Sequence, residues 1–102
     1  MIEQWVKLSG YDKECYISNR GSLRYNGKSR KPSPNKSGHL RVNLKQAGKH
    51  KAAYIHRLVA KGFINNPYNL PCVLHKDDNP SNNMEDNLYY GTQQDNMRDR
   101  NR

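Results

Sequence analysis

The sequence predicts an α+β fold, in which a small antiparallel β region and a helix precede a ββα unit. Three observations lead to this prediction: apolar and polar residues alternate over 40–45, apolar residues fall at helical spacing over 54–63, and residues 72–102 read as strand, loop, strand, helix. The chain has 102 residues, of which 33% are hydrophobic. It therefore suits one compact domain with a thin core.

The N-terminal half is predicted to be β-rich. "CYISNRGSLRYNG" reads as two short strands around a turn at Asn19–Gly21, whereas the prolines and serines of "GKSRKPSPNKSG" indicate a basic loop. Leu40, Val42 and Leu44 alternate with polar residues, which is typical of a half-buried strand. A turn near 47–48 returns the chain.

The C-terminal half begins with a helix. In "YIHRLVAKGFINNP" the apolar residues have helical spacing, and the helix should end before Asn66–Pro67. "CVLH" and "NLYYG" are predicted as strands, and "TQQDNMRDRNR" as a helix with Thr92 as N-cap and Asp95 completing a capping box. We divide the chain into a basic β-rich region, 1–52, and a helix with the ββα unit, 53–102.

Charge is distributed unevenly. Residues 1–71 carry fourteen basic and three acidic side chains, whereas residues 72–102 carry four basic and six acidic ones. A long basic stretch suits a nucleic acid, because cations that neutralise phosphates release counterions. The acidic tail suggests a divalent metal. An RNA-binding module would explain the charge equally well.

Membrane and cysteine-based functions are not expected. No apolar run is long enough to span a bilayer, and the N-terminus lacks the apolar stretch of a signal peptide. We therefore expect no membrane partner and a cytoplasmic location. Cys15 and Cys72 are too few and too far apart for a cysteine zinc site, and both should be reduced.

Three residues of the ββα unit could form a catalytic site. Strand and helix pack face to face in such a unit, so His75 and Asn96 could point into one cleft. A neutral imidazole is a natural general base at pH 7, and an amide oxygen suits Mg2+. The Asn87 amide could bond backbone groups on both sides of the long loop and fix the strand that carries His75.

The stretch "VLHKDDNPSNNMEDNLYYGTQQDNMRDR" resembles the HNH motif of homing endonucleases from phages and introns, without a gap. Upstream, "WVKLSGYDKECYISNRGSLR" is similar to the modular DNA-binding motif associated with these nucleases. The resemblance covers nearly the whole chain. It implies a ββα-metal unit that hydrolyses phosphodiesters in double-stranded DNA with Mg2+ or Mn2+, acting near the bacterial host's nucleoid as a monomer or homodimer that nicks one strand.

The resemblance also implies roles for single residues. His75 would be the general base, Asn96 a metal ligand, and Asn87 the motif's middle Asn. Asp77 would order the loop or bind metal, and Asn79, Asn82 and Asn83 would satisfy backbone groups.

Two residues depart from the motif. Asp78 replaces a glycine, which is mild because Asp tolerates a left-handed backbone. Leu74 replaces the Asp or Asn that usually binds metal, so either Asn96 holds the metal with the phosphate, water or a nearby Asp, or the site is inactive. The alternative function is therefore an inactive HNH-fold protein that only binds DNA.

Basic residues of both halves of the chain are the candidates for phosphate contacts. His56 could contact DNA, contact a residue of the site, or simply pack in the helix. His39 and His50 are expected at the surface. The DNA-binding candidates are Arg24, Lys28, Arg30, Lys31, Lys36, Arg41, Lys45, Arg98 and Arg102.

Overall fold

The computed structural model describes the backbone of residues 2–100 and the side chains of residues 2–96. It is an α+β arrangement of small antiparallel sheets and two helices, as the sequence predicts. The elements in chain order are β1 (Trp5–Leu8), β2 (Cys15–Ser18), β3 (Leu23–Tyr25), β4 (Lys28–Arg30), β5 (Ser33–Pro34), β6 (Leu40–Gln46), β7 (Lys49–Tyr54), α1 (Ile55–Phe63), β8 (Cys72–His75), a 3-10 turn (Glu85–Asn87), β9 (Leu88–Gly91) and α2 (Gln93–Arg100).

The first sheet contains β1 to β4 in sequential order. The strands predicted on either side of Asn19–Gly21 are β2 and β3, but β1 and β4 were not predicted as strands. Each is only three or four residues long, too short for an alternation pattern to stand out. Cys15, Ile17 and Leu23 point into the core from this sheet and are almost fully buried.

The second sheet has the order β5-β6-β7. Val42 and Leu44 are buried and Arg41 and Lys45 exposed, so the alternation predicted for β6 is confirmed. The predicted turn also forms, with Ala47 at φ 50° and Gly48 at φ 77°. The Asp12 carboxylate accepts the N–H groups of both turn residues, which offsets the cost of a left-handed alanine.

Helix α1 lies at the centre of the core and contacts strands of all three sheets. Ile55, Leu58 and Val59 are buried, as their spacing predicts. Gly62 permits the closest approach: a Cβ atom there would lie 2.7 Å from the Val6 Cγ2 atom, inside the contact distance of two carbons. The glycine in the last turn of α1 therefore lets the helix pack closely on β1.

The C-terminal segment forms the predicted ββα unit. β8 and β9 pair antiparallel, with His75 opposite Leu88, and α2 packs against β8. The capping box is present: the Asp95 N–H donates to Thr92 Oγ1 at 3.1 Å, and the Thr92 N–H donates to Asp95 Oδ2 at 3.0 Å. These bonds fix the first turn of the helix that carries Asn96.

Two sequence expectations differ from the observed elements. The basic loop of residues 27–38 contains β4 and the two-residue β5, which pairs with β6 despite Pro34 because it lies at a sheet edge. The boundary at 52/53 falls inside β7, and one core draws residues from both sides of it. Neither helix, within residues 2–100, has the length and apolar character to cross a bilayer.

Candidate active site

His75 and Asn96 line the same cavity, which has a volume of about 700 Å³. β8 contributes His75 at its last residue, and α2 contributes Asn96 in its first turn, where the Asn96 N–H donates to the Thr92 carbonyl oxygen at 3.1 Å. Helix α1 and the loop before β6 form the other walls. The lining residues are Asn35, Ser37, His39, Tyr54, His56, Arg57, Cys72, Val73, Leu74, His75, Asp78, Pro80 and Asn96.

A hydrogen bond from the loop orients the His75 imidazole. Its Nε2 atom lies 2.7 Å from Asn83 Oδ1, and the two residues are 8% and 4% exposed. With the Asn83 amide oxygen as acceptor, a neutral His75 ring would carry its proton on Nε2 and its lone pair on Nδ1, while the buried Asn83 Nδ2 group has no hydrogen-bond partner among the described residues. Asn83, expected to satisfy backbone groups, instead contacts the candidate base.

Three histidine rings are grouped at this site. The centroid of the His56 ring lies 5.0 Å from that of His39 and 5.3 Å from that of His75, and the His39 and His75 rings are 5.8 Å apart. His56, at the start of α1, is buried and its Nδ1 atom has no hydrogen-bond partner. The pKa of His56 is lowered to about 3, mainly by burial and in smaller part by positive charge on His39, His75 and Arg57.

His39 was expected at the surface but is half-buried beside the other two rings. The reason is a close contact between two loops. A Cβ atom on Gly38 would lie 3.0 Å from the Pro80 Cγ atom, so glycine, which also suits φ 85° here, favours this close approach of the loop before β6 to the loop after β8. Sequence spacing carries no signal for such a contact.

Asn87 is buried and ties the long loop together. Its Nδ2 group donates to Asp77 Oδ1 at 2.9 Å and to the Asn82 carbonyl oxygen at 2.8 Å, and its Oδ1 atom accepts the Asp77 N–H at 3.3 Å. The Asn87 carbonyl oxygen also accepts the Lys76 N–H, next to His75. Asn87 therefore holds the loop and does not line the cavity.

Asp77, like Asn87, holds the long loop together through hydrogen bonds. Its Oδ1 atom accepts from Asn79 N–H and Asn87, and its Oδ2 atom accepts from the Asn82 side chain. Hydrogen bonds from Asn82, Asn79 and Asn87 lower the Asp77 pKa to about 2. Asp77 is absent from the cavity wall, so of its two predicted roles the contacts favour loop ordering over metal binding.

Leu74 and Asp78 both line the cavity. Leu74 is 5% exposed and packs so closely on Gly91 that a Cβ atom there would lie 2.6 Å from Leu74 Cδ1. Asp78 adopts the left-handed backbone expected of the glycine it replaces, with φ 59°. The cavity thus has an apolar side chain before His75 and a carboxylate three residues after it.

The oxygen atoms of Asn96 and Asp78 are suitable donors for a hard divalent ion, Mg2+ or Mn2+, in this cavity. No three His, Cys, Asp or Glu side chains in the described part of the chain are grouped to hold a metal ion by themselves. The residues fit an ion that takes its remaining ligands from water and phosphate, which is typical of Mg2+.

The predicted DNA contacts occupy several surfaces. Arg41 and Lys45 are exposed on one face of β6, and Arg30 donates to the Asn43 carbonyl oxygen at 3.2 Å. The Arg24 guanidinium lies over the Trp5 ring, 4.6 Å from its centroid. Lys28, Lys31 and Lys36 are exposed, as is His50. The side chain of Arg98 and the whole of Arg102 lie outside the described residues.

Arg57 and Tyr54 are polar residues of the cavity wall that the sequence analysis did not single out. Arg57 follows His56 on α1, and its guanidinium lies 5.7 Å from the centroid of the Tyr54 ring. Tyr54 is opposite Arg41 in the β6–β7 register, and hydrogen bonds from Asn35 and Arg41 lower its pKa. The one available signal was their position beside His56, at the change from strand to helix.

No family profile matches the chain. It is 35% identical over 96 residues to the DNA endonuclease I-HmuI of Bacillus phage SP01, covering 92% of this chain and 55% of that protein. It is 40% identical over 90 residues to an uncharacterised HNH endonuclease, L245, of Acanthamoeba polyphaga mimivirus, covering 86% of this chain and 27% of the relative. The chain thus spans between a quarter and just over half of these relatives.

The fold agrees with the sequence comparison. The chain is similar to the structure described as DNA binding and cleavage by the HNH homing endonuclease I-HmuI, with a TM-score of 0.82 and 35% identity over 95% of this chain and 57% of that one. Sequence, fold and the ββα unit with His75, Asn87 and Asn96 in register point the same way. The chain is therefore similar, in sequence and in fold, to HNH homing endonucleases over just over half the length of I-HmuI.

Proposed function

We propose that this chain is a metal-dependent DNA endonuclease that hydrolyses one phosphodiester bond per catalytic event. The observation that carries the proposal is the His75–Asn83 hydrogen bond at the wall of a cavity that Asn96 also lines. An oriented neutral imidazole and an oxygen donor in one cleft are what metal-assisted hydrolysis requires. The DNA cleavage named for the I-HmuI structure supports the same activity.

His75 would act as the general base. With Nε2–H donated to Asn83, the Nδ1 lone pair takes the proton of a water molecule that attacks the phosphorus. Asn87 and Asp77 keep the loop that carries Asn83 closed around the imidazole. Proton transfer thus depends on loop contacts as well as on His75 itself.

Asn96 would hold the divalent ion, Mg2+ or Mn2+. When bound, the ion supplies positive charge to the phosphate and the leaving oxygen. Arg57, on the cavity wall, adds a fixed positive charge on the side of α1, where it can contact a non-bridging phosphate oxygen. The cavity would thus complement the extra negative charge of the transition state.

Double-stranded DNA would dock along the exposed face of β6. Arg41, Asn43 and Lys45 face solvent on this strand, and Tyr54, opposite Arg41, lines the cavity. The Arg41 end of this face therefore lies next to a residue of the cavity that His75 also lines. A DNA backbone lying across this face would contact Arg41 and Lys45 with its flanking phosphates. These contacts would position the scissile phosphate at the general base.

One catalytic cavity in a monomer would nick a single strand, and a double-strand cut would need a homodimer or two events. Supercoiled plasmid with Mg2+ or Mn2+ tests the activity, because a nick converts it to the open-circular form. We expect wild type to nick, His75→Ala to lose at least about a hundredfold in rate, and EDTA to stop the reaction. Equal cutting by His75→Ala would refute the assignment. Inside a bacterial host, the enzyme would act at the nucleoid.

The second candidate is a DNA-binding protein without nuclease activity. The observation that favours it is Leu74, whose buried side chain packs on Gly91 and offers no donor atom to a metal. This candidate predicts that duplex binding survives EDTA and that neither metal produces nicked plasmid. Competition with RNA at matched salt separates both candidates from an RNA-binding module.

A further inference from the structure

The two departures from the HNH motif lie on the wall of one cavity. Leu74 removes an oxygen donor immediately before His75, and Asp78 adds a carboxylate where the motif has glycine. Both residues line the cavity together with Asn96. A donor lost at one position is thus matched by a donor gained at another position of the same site.

A tight turn brings Asp78 back to the general base. The Asp78 N–H donates to the His75 carbonyl oxygen at 3.1 Å, closing a turn over residues 75–78. Asp78 holds φ 59°, a left-handed conformation that Asp tolerates better than most residues, so the turn accommodates the carboxylate.

The neighbouring aspartate cannot take this role without breaking the loop. Both Asp77 oxygens already accept hydrogen bonds, from the Asn79 N–H and the side chains of Asn82 and Asn87. Asp77 also lies outside the cavity wall, whereas Asp78 is part of it. The Asp77 carboxylate therefore belongs to the hydrogen-bond network of the loop, whereas Asp78 lines the cavity.

We infer that Asp78 is a carboxylate ligand of the divalent ion, acting with Asn96 in place of the residue before His75. The inference rests on the proposed function, since it names a ligand within the same site. A carboxylate and an amide oxygen from the protein, completed by water and phosphate, form a ligand set that suits Mg2+ and Mn2+. Asp78 thus compensates for Leu74.

The test measures metal affinity directly. The full chain, without DNA, is titrated with Mn2+, and the free ion is followed by electron paramagnetic resonance. Asp78→Gly and Asp78→Asn should each weaken Mn2+ binding at least about tenfold. Glycine suits φ 59°, so Asp78→Gly removes the carboxylate without backbone strain, and thermal unfolding verifies the fold. Asp86→Asn, an exposed carboxylate outside the cavity, is the matched control and should bind normally.

A compensating pair sharpens the experiment. Leu74→Asp combined with Asp78→Gly restores the motif at both positions and should recover wild-type Mn2+ affinity. Undiminished binding by Asp78→Gly, or no Mn2+ binding by wild type, would overturn the inference. Plasmid nicking by wild type is measured separately. If wild type nicks DNA but Asp78→Gly binds Mn2+ as well as wild type does, only the assignment of Asp78 as a ligand is refuted. If Mn2+ binding depends on Asp78 but wild type does not nick DNA, only the proposed function is refuted.

Discussion

The Nε2 atom of His75 lies 2.7 Å from Oδ1 of Asn83, and both side chains are buried. This bond orients the candidate base from a loop residue eight positions away. Asn83→Ala should leave DNA affinity unchanged and reduce the nicking rate at least about tenfold, because an unanchored imidazole no longer presents Nδ1 to water. Plasmid nicking and duplex binding in EDTA measure the two quantities. Asn79→Ala, an exposed asparagine of the same loop, is the control.

Acid should destabilise the protein through His56. Burial lowers its pKa to about 3 in the folded chain, whereas the unfolded value is about 6.5. Between these values His56 binds a proton in the unfolded state but not in the folded state. Its contribution to the free energy of unfolding is therefore fully present above pH 6.5 and decreases as the pH falls toward 3. From pH 7 to pH 5 the contribution of His56 is a loss of about 2 kcal/mol.

Urea unfolding at pH 7 and pH 5 measures this loss. We expect His56→Leu to lose clearly less free energy of unfolding on acidification than wild type does. His50→Gln, on the exposed part of β7, should behave as wild type. The same pH dependence in His56→Leu and wild type would rule out His56 as the source.

Salt dependence should identify the DNA-binding face. Removing Arg41 and Lys45 together by alanine should lower duplex affinity and reduce the slope of log K against log salt by about 2, since each phosphate contact contributes about 0.9. Fluorescence anisotropy over a range of salt concentrations gives the slope. Lys7→Ala with Lys61→Ala removes the same charge from exposed positions on other elements and should leave the slope nearly unchanged. An equal decrease in both pairs would mean that charge acts without a defined face.

Packing should override helix propensity at Gly62. Alanine in a helix interior stabilises by about 1 kcal/mol relative to glycine, and less is expected in the last turn, where Gly62 lies. Here the new Cβ atom would lie 2.7 Å from Val6 Cγ2, and overpacking costs about 1–3 kcal/mol. We therefore expect Gly62→Ala to lower the melting temperature, while Lys61→Ala on the same helix should not. A higher melting temperature for Gly62→Ala would show that Val6 can move aside.

Sequence patterns predicted the elements that are determined by residues close together in the sequence. The alternation of Val42 and Leu44, the spacing of α1 and the Thr92–Asp95 capping box are each encoded within a few residues and are observed. The α+β fold follows from those elements in order. β1 and β4 were missed because strands of three or four residues show no period.

The remainder of the site depends on contacts between segments distant in sequence. His39 reaches His56 and His75 only because Gly38 allows contact with Pro80, more than forty residues later. Asn83 was predicted to serve the backbone, since a loop asparagine gives no sign of which partner it will meet. Asp77 and Asp78 differ in position because of the turn geometry, and two adjacent aspartates in the sequence give no indication of that difference.

The contact between Leu74 and Gly91 makes these two positions interdependent. The leucine occupies volume that any larger residue at 91 would need, since a single added carbon there would come within 2.6 Å of Leu74 Cδ1. In homologues we expect the two positions to covary, with a bulky side chain before the histidine found only where β9 ends in glycine.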